Sequence, residues 1–347
     1  MLILQNILNK LYNFRHLSKK EISHIFSMII NKKVNHSQLV AILISLKMKG
    51  IHTEEIIGAV NTIRNYTNSK IYNITSSKNI ISDIVGTGGD NLHTLNISTS
   101  SAFIAASCGI KIAKHINSCV SSTAGSADII SLLGYPLNHS FIDAQKLLNN
   151  YNLCFLFAQK YYSFFSDIMA VRKQLKTYTI FNIVGPLINP FQPKIILIGV
   201  SDPRLLKPMI YTLKYLQYYR AAVVYCRGMD EISLHNDTIV FELYNQKIHN
   251  YILTPKSFGL NYISIKDLIG ISIKDNTKKL IQLLKGQCQN ISYINTVAAN
   301  VAFLLKLNGY DNLIANTRLA IDQIYSGSSY NYIAELINQG YIKNHYV

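Results

Sequence analysis

Tryptophan is absent from this 347-residue chain, and negative charge is scarce: 18 aspartates and glutamates stand against 34 lysines and arginines, a formal balance of +16. An excess of that size attracts anionic partners such as phosphorylated metabolites, nucleic acid or membrane surfaces. It singles out none of them. The chain is rich in Ile, Asn, Lys and Tyr throughout, a bias that nucleotide composition alone can produce. Cysteine is sparse as well. Cys108, Cys119, Cys154, Cys226 and Cys288 are odd in number and include no C-x-x-C pair, so neither a zinc site nor a disulfide framework follows. Reduced thiols in a cytoplasmic protein are expected instead. No apolar run reaches the roughly 18 residues of a membrane span. The opening MLILQNILNKLYNFRHLSKKE lacks a long apolar core and a small-residue cleavage site; mildly basic and amphipathic, it has the form of a transit peptide or, as the preferred reading, of a first structural helix. H-E-x-x-H, G-x-S-x-G and the P-loop signature are missing, which argues against hydrolase and P-loop chemistry.

What is present is apolar. With 49% hydrophobic and only 15% charged residues, the composition is that of a globular protein, and the length favours about two domains. Residues 1–66 carry helical signals only. Ser18-Lys19-Lys20-Glu21 has the form of a capping box, and Ile22, Ile25, Phe26, Ile29 and Ile30 follow at helical spacing. Asn35 opens another helix that Gly50 stops, and Thr53 begins a further one. The polar segment 67–80 reads as a linker. From residue 81 strand and helix signals alternate. ISDIV, IKIAKH, LCFLFA, KIILIGV and RAAVVYC are short apolar strands, TIVFELYNQKIHNYIL has the form of a hairpin, and 274–340 is helical again. Such alternation predicts an α/β fold. A small all-helical N-terminal domain is expected over 1–70, completed by helices from later segments. A larger α/β domain is expected over 80–347, its mostly parallel sheet flanked by helices. In open sheets of this kind ligands bind beyond the carboxyl ends of the strands, where the polar motifs fall.

The first strand runs into Gly86-Thr87-Gly88-Gly89-Asp90. Glycines there serve a tight turn, or a cradle whose N–H groups meet a phosphate while Asp90 reaches a sugar hydroxyl or a metal. Thr94, Asn96, Ser98 and Thr99 open the next helix, as an ordinary N-cap or as an anion site. The loop KHINSCVSSTAGSAD (114–128) supplies Lys114, His115, Asn117, Ser121, Ser122 and Ser126. These are a point charge and hydroxyl donors for phosphate, or the side chains of a solvated loop. Asp230 and Glu231 follow the strand RAAVVYC and suit magnesium, which takes one or two carboxylates with phosphate and water oxygens. As neighbours on extended chain they point apart, which disfavours a paired acid and base. Arg172, ahead of Gly185-Pro186, can hold a carboxylate bidentately or remain a surface charge.

Together these stretches resemble the anthranilate phosphoribosyltransferases over nearly the whole chain. G-T-G-G-D, N-I-S-T, K-H-x-N-x-x-V-S-S-x-x-G-S-A-D, V-R-x-x-L, T-I-F-N-x-x-G-P-L-x-N-P and G-x-D-E occur in that family's order. The resemblance implies a fold shared with the pyrimidine nucleoside phosphorylases, usually homodimeric through the helical domain. It implies transfer of phosphoribosyl from phosphoribosyl pyrophosphate to the anthranilate amine, a step of tryptophan biosynthesis. Gly86, Gly89, Asp90, Thr94, Asn96, Ile97, Ser98 and Thr99 would hold phosphoribosyl pyrophosphate. Lys114, His115, Ile116, Asn117, Ser118, Cys119, Val120, Ser121, Ser122 and Ser126 would complete its site. Gly86, Asn117 and Arg172 would contact anthranilate, and Ser98, Asp230 and Glu231 would bind two Mg2+ ions per subunit. No His or Cys nucleophile is implied. The chain departs from the pattern where Ile116 replaces a glycine, Ser118 an arginine, Tyr162 a pocket histidine, Ala170 a proline and Tyr178 an arginine. Two rivals stand beside this reading. A nucleoside phosphorylase would carry a longer S-T-G-G-V-G-D-type turn, and a non-enzymatic nucleic-acid-binding relative would have no use for Asp230, Glu231 and Arg172.

Overall fold

Four helices open the chain, and the residues that mark their ends in the sequence are the ones that set them. They are α1 (Leu2–Tyr12), α2 (Lys19–Ile30), α3 (His36–Lys49) and α4 (Thr53–Asn68). The Ser18 hydroxyl accepts from the Glu21 amide while Glu21 Oε2 accepts from the Ser18 amide at 2.9 Å. Asn35 and Gln38 repeat the exchange at the start of α3. Each box satisfies amides that no helical carbonyl reaches. Gly50 ends α3 with φ +81°, a conformation costly for other residues. The structure, a computed structural model, describes residues 2–68, 80–90, 92–118, 125–162 and 164–338. Helix α4 therefore takes residues 67 and 68 from the expected linker, and 69–79 lie outside the described residues.

The strands are β1 (Ser82–Gly86), β2 (Ile112–Ile116), β3 (Leu153–Phe157), β4 (Ile195–Gly199), β5 (Arg220–Tyr225), β6 (Thr238–Tyr244) and β7 (Lys247–Leu253). They form one sheet in the order β3-β2-β1-β4-β5-β6-β7. β1 to β5 are parallel, and β6 and β7 are antiparallel. Asn245 and Gln246 join the last two with φ of +48° and +59°, the left-handed pair that a two-residue hairpin requires. Helices α5 (Ile97–Ser107), α6 (Ser126–Leu132), α7 (Phe141–Tyr151), α8 (Ala158–Tyr161), α9 (Phe165–Leu175), α10 (Ile180–Val184) and α11 (Leu206–Tyr215) lie between strands. Helices α12 (Ile273–Leu284), α13 (Ile291–Leu307), α14 (Leu313–Ser326) and α15 (Asn331–Asn338) follow the sheet. No helix among the described residues is long and apolar enough to cross a membrane.

Side chains alternate across the strands and feed two cores. Ile84, Leu197, Ala222 and Val224 face a core built with α5 and α13. Val85, Ile196, Ile198, Ala221 and Val223 face the other, shared with α1–α4 and α8–α11. The N-terminal helices thus complete their packing with later ones: the Phe26 and Phe181 rings sit 5.5 Å apart. Ala170 lies inside α9, where a proline would remove an amide and bend the helix. The chain moves outward from β1 through β3, then returns to β4 on the other side of β1. That reversal opens a crevice at the strand ends.

Candidate active site

At the reversal the loops after β1, β4 and β5 meet with no room for side chains. A Cβ on Gly86 would lie 2.2 Å from Asp230 Oδ2, and one on Gly199 would lie 1.5 Å from the Asp230 carbonyl oxygen. Gly88 and Gly89 take φ of +68° and +83°, which frees the turn to aim its amides. The Gly88 amide donates to Asp230 Oδ2 at 2.6 Å. Gly89 rests on the Tyr178 ring, where a Cβ would come within 2.5 Å of Cδ2.

Helix α5 starts opposite this turn. The Ser98 amide donates to Glu231 Oε1 at 2.9 Å, a carboxylate placed on the positive end of a helix. Asn300 of α13 fixes the residue that follows: its Oδ1 accepts from the Ile232 amide at 3.2 Å and its Nδ2 donates to the Ile232 carbonyl at 2.7 Å. Asp230 is buried, and Glu231 Oε2 is buried without a hydrogen-bond partner among the described residues. Burial, then the charge of Asp90, raises the Asp230 carboxyl to about 7. Burial, then Asp230, raises Glu231 well above the usual range, and burial raises Asp90. Desolvated carboxylates gathered this way call for positive charge. Hard oxygen donors in this number suit a divalent cation that takes its other ligands from phosphate and water. Among the described residues no three His, Cys, Asp or Glu side chains form a closed metal cluster.

Beneath them Lys114 is 1% exposed and donates from Nζ to the Ile84 carbonyl. Burial lowers its ammonium to about 8 against the pull of Asp83, Glu231 and Asp230. The lysine thus lies under the site rather than reaching freely across it. His115 donates from Nδ1 to the Gly185 carbonyl at 3.0 Å, and burial lowers it to about 4. Asn117 Oδ1 accepts from the Ser118 amide at 2.9 Å.

Arg172 of α9 lines the same cleft and is 3% exposed. Nη2 donates to Asn182 Oδ1 at 2.9 Å and Nη1 faces Met169 Sδ at 3.6 Å. Nε is buried with no hydrogen-bond partner among the described residues, and burial lowers the guanidinium to about 10. A buried cation in no ion pair with a carboxylate of the described residues is poised for an anionic ligand.

A cleft of about 230 Å3 joins these parts. Gly86, Gly89, Asp90, Thr94, Asn96, Ser98, Lys114, His115, Ile116, Asn117, Ser118, Ser126, Arg172, Asp230 and Glu231 all line it. Ile97 and Thr99, expected among them, do not. The Ile97 side chain is in the core and its amide donates to the Leu95 carbonyl at 2.8 Å, while Thr99 is fully buried on the inner face of α5. Cys119, Val120, Ser121 and Ser122 lie outside the described residues. Tyr162, where the resemblance implies a pocket histidine, does not line the cleft. Its ring packs 6.0 Å from that of His115 and 5.6 Å from that of Phe165, and its hydroxyl donates to the Ile188 carbonyl. A phenol's apolar body and single donor are better served there than in a polar pocket. Sequence reasoning missed Phe165, Phe181, Asn182 and Pro186 in the lining. Asn182 and Pro186 were visible within T-I-F-N-x-x-G-P, whereas Asn300 carried no local signal.

Two models of a glycosyl transferase family match the chain, one for its helical bundle domain over residues 5–67 and one for its a/b domain over 78–330. Fold and site therefore define a glycosyltransferase of this class. Anthranilate phosphoribosyltransferases of Pectobacterium carotovorum subsp. carotovorum (strain PC1) and Serratia proteamaculans (strain 568) are each 44% identical over 337 residues, 97% of this chain and 94% and 100% of theirs. The crystal structure of the Thermus thermophilus enzyme superposes with a TM-score of 0.85 at 28% identity, covering 95% of this chain and 98% of that one. The Saccharomyces cerevisiae enzyme, solved in complex with PRPP (phosphoribosyl pyrophosphate) and Mg, superposes at 0.84 with 25% identity, covering 96% and 97%. The chain belongs to the anthranilate phosphoribosyltransferases, pentosyltransferases of tryptophan biosynthesis.

Proposed function

We propose that the chain carries phosphoribosyl from phosphoribosyl pyrophosphate to the anthranilate amine, with the diphosphate on the glycine turn and α5, and the aromatic acid at Arg172. The observation that carries this assignment is that the buried Arg172 guanidinium and the Asp230–Glu231 pair line one cleft. One end suits a carboxylate and the other a metal-bound diphosphate. Ser98, Asp230 and Glu231 would hold two Mg2+ ions; the chemistry these supply when bound is neutralisation of charge on the departing pyrophosphate. The Gly88–Gly89 turn and the positive end of α5 would orient the diphosphate. Arg172 and Asn117 hold anthranilate with its amine toward the anomeric carbon. The bond from that carbon to the pyrophosphate oxygen breaks as the amine nitrogen bonds to it, and the nitrogen then loses its proton to solvent. An aromatic amine is neutral at pH 7, so no residue needs to deprotonate it first, and rate comes from positioning and electrostatics.

The helical unit of residues 1–70, completed by later helices, would pair two copies of the chain. The α/β unit of 80–347 would bind phosphoribosyl pyrophosphate. The free thiols of Cys108, Cys154, Cys226 and Cys288 support a cytoplasmic setting. Loss of anthranilate fluorescence on mixing with phosphoribosyl pyrophosphate and Mg2+, and its dependence on all three, tests the activity. Fluorescence that persists with folded protein and saturating substrates refutes it.

A further inference from the structure

Asn182 of α10 makes a set of contacts that the reaction as described does not use. Its Oδ1 accepts from Arg172 Nη2 at 2.9 Å and from the Thr179 amide at 3.1 Å, and its Nδ2 donates to the Thr87 carbonyl at 3.2 Å. These partners fix the amide's orientation, since a guanidinium and a backbone N–H only donate and a carbonyl only accepts. One residue along, the Gly88 amide donates to Asp230 Oδ2 at 2.6 Å, and Ser201 Oγ donates to the Gly88 carbonyl at 3.0 Å. Direct contacts therefore run from Arg172 through Asn182 to the Thr87–Gly88 peptide and on to Asp230.

We propose that Asn182 is a positioning residue that couples the arginine of the aromatic-acid pocket to the glycine turn of the diphosphate site. This rests on the reading of Arg172 given above. Among the described residues Asn182 Oδ1 is the oxygen that orients the guanidinium, because there Nη1 faces a thioether and Nε has no partner. The same side chain holds the peptide preceding the first left-handed glycine. Disturbing it therefore affects both substrates, although it brings no charge to either. Aspartate at this position is the sharpest perturbation. It keeps Oδ1 and the shape, adds a carboxylate that competes with the substrate for Arg172, and turns the donor facing the Thr87 carbonyl into an oxygen.

Steady-state kinetics of the full chain, with anthranilate and phosphoribosyl pyrophosphate each varied at saturating Mg2+, test the coupling. Asn182→Asp is expected to raise the KM for anthranilate about tenfold and that for phosphoribosyl pyrophosphate severalfold, and Asn182→Ala to raise both by less. In an Arg172→Ala background, Asn182→Asp no longer changes the anthranilate KM but keeps its effect on phosphoribosyl pyrophosphate, the non-additivity that contact predicts. An asparagine that merely held α10 in place would act alike in both backgrounds, and that result overturns the coupling. If Asn182→Asp does not fold, Asn182→Ala in the two backgrounds decides by the same comparison. Arg172→Ala with a raised anthranilate KM and both Asn182 variants unchanged also overturns it. Arg172→Ala with unchanged anthranilate kinetics overturns the pocket reading itself, and the coupling with it.

Discussion

Replacing Arg172 by alanine removes a cation that the fold holds at a cost. Burial lowers its guanidinium from the usual arginine range to about 10, and a shift of that size corresponds to about 3 kcal/mol of hydration lost by the charged form. Both pKa values lie far above 7, so the group is charged folded and unfolded at neutral pH, and the cost falls on the folded protein. Alanine relieves it but leaves a cavity worth a similar amount, so net stability is expected to stay within about 2 kcal/mol of the parent. Arg172→Met fills the space without the charge and is expected to raise the denaturant midpoint. The kinetic effect is large by comparison. One lost charge-assisted contact to the anthranilate carboxylate is worth about 1.5–3 kcal/mol, roughly ten- to a hundredfold in binding. The assay is anthranilate fluorescence at varied anthranilate and saturating phosphoribosyl pyrophosphate, read as KM and kcat separately. A folded Arg172→Ala protein with an unchanged KM for anthranilate refutes the reasoning, whatever the diphosphate end does.

The carboxylates give a contrasting expectation: Asp230→Asn with Glu231→Gln should leave circular dichroism unchanged while lowering Mg2+-dependent turnover by about a hundredfold or more, checked at limiting magnesium. Tyr162→His, which would supply the histidine that the resemblance implies, is expected to destabilise the protein by about 2–4 kcal/mol in urea titration and to leave anthranilate affinity unimproved, because position 162 is in the core. His115, lowered from 6.5 to about 4 with its Nε2 buried, favours the folded state in its neutral form. Its contribution is complete above pH 6.5 and is lost as pH falls from there through 4, on the order of 3 kcal/mol in all. Acid titration of His115→Gln should show a correspondingly shallower loss over that window.

Every strand of the sheet was legible in the sequence because its signal is local. Apolar runs such as KIILIGV end at glycine or polar turns, and a period of two divides Ile196 and Leu197 between the two cores. The capping boxes at Ser18 and Asn35 are likewise local, each closing within three residues. The site was legible in outline because glycines, hydroxyls and paired carboxylates fall at strand ends. Contacts across the chain were not. Asn300 meets Ile232 from 68 residues away, and nothing around it distinguishes it from an ordinary helical asparagine. Ile97 and Thr99 share a motif with Ser98, but a helix start presents only part of its circumference to a ligand, and the rest of its side chains turn inward. Tyr162 falls at a pocket position by the resemblance and in the core by chemistry, a preference that packing decides.

The close approach at Gly199 changes how damage to this enzyme should be interpreted. A methyl group there would overlap the backbone of Asp230, so Gly199→Ala displaces the carboxylate pair without touching a reactive atom. A mutational survey scored by turnover alone would rank Gly199 beside Asp230 and invite a search for its chemistry. No such chemistry exists in a residue with no side chain. What the position supplies is absence, a hole the size of one carbon through which a neighbouring chain passes. Repair should therefore come from the 229–232 segment giving way, and compensating substitutions are to be sought there and on the Asn300 face that pins it.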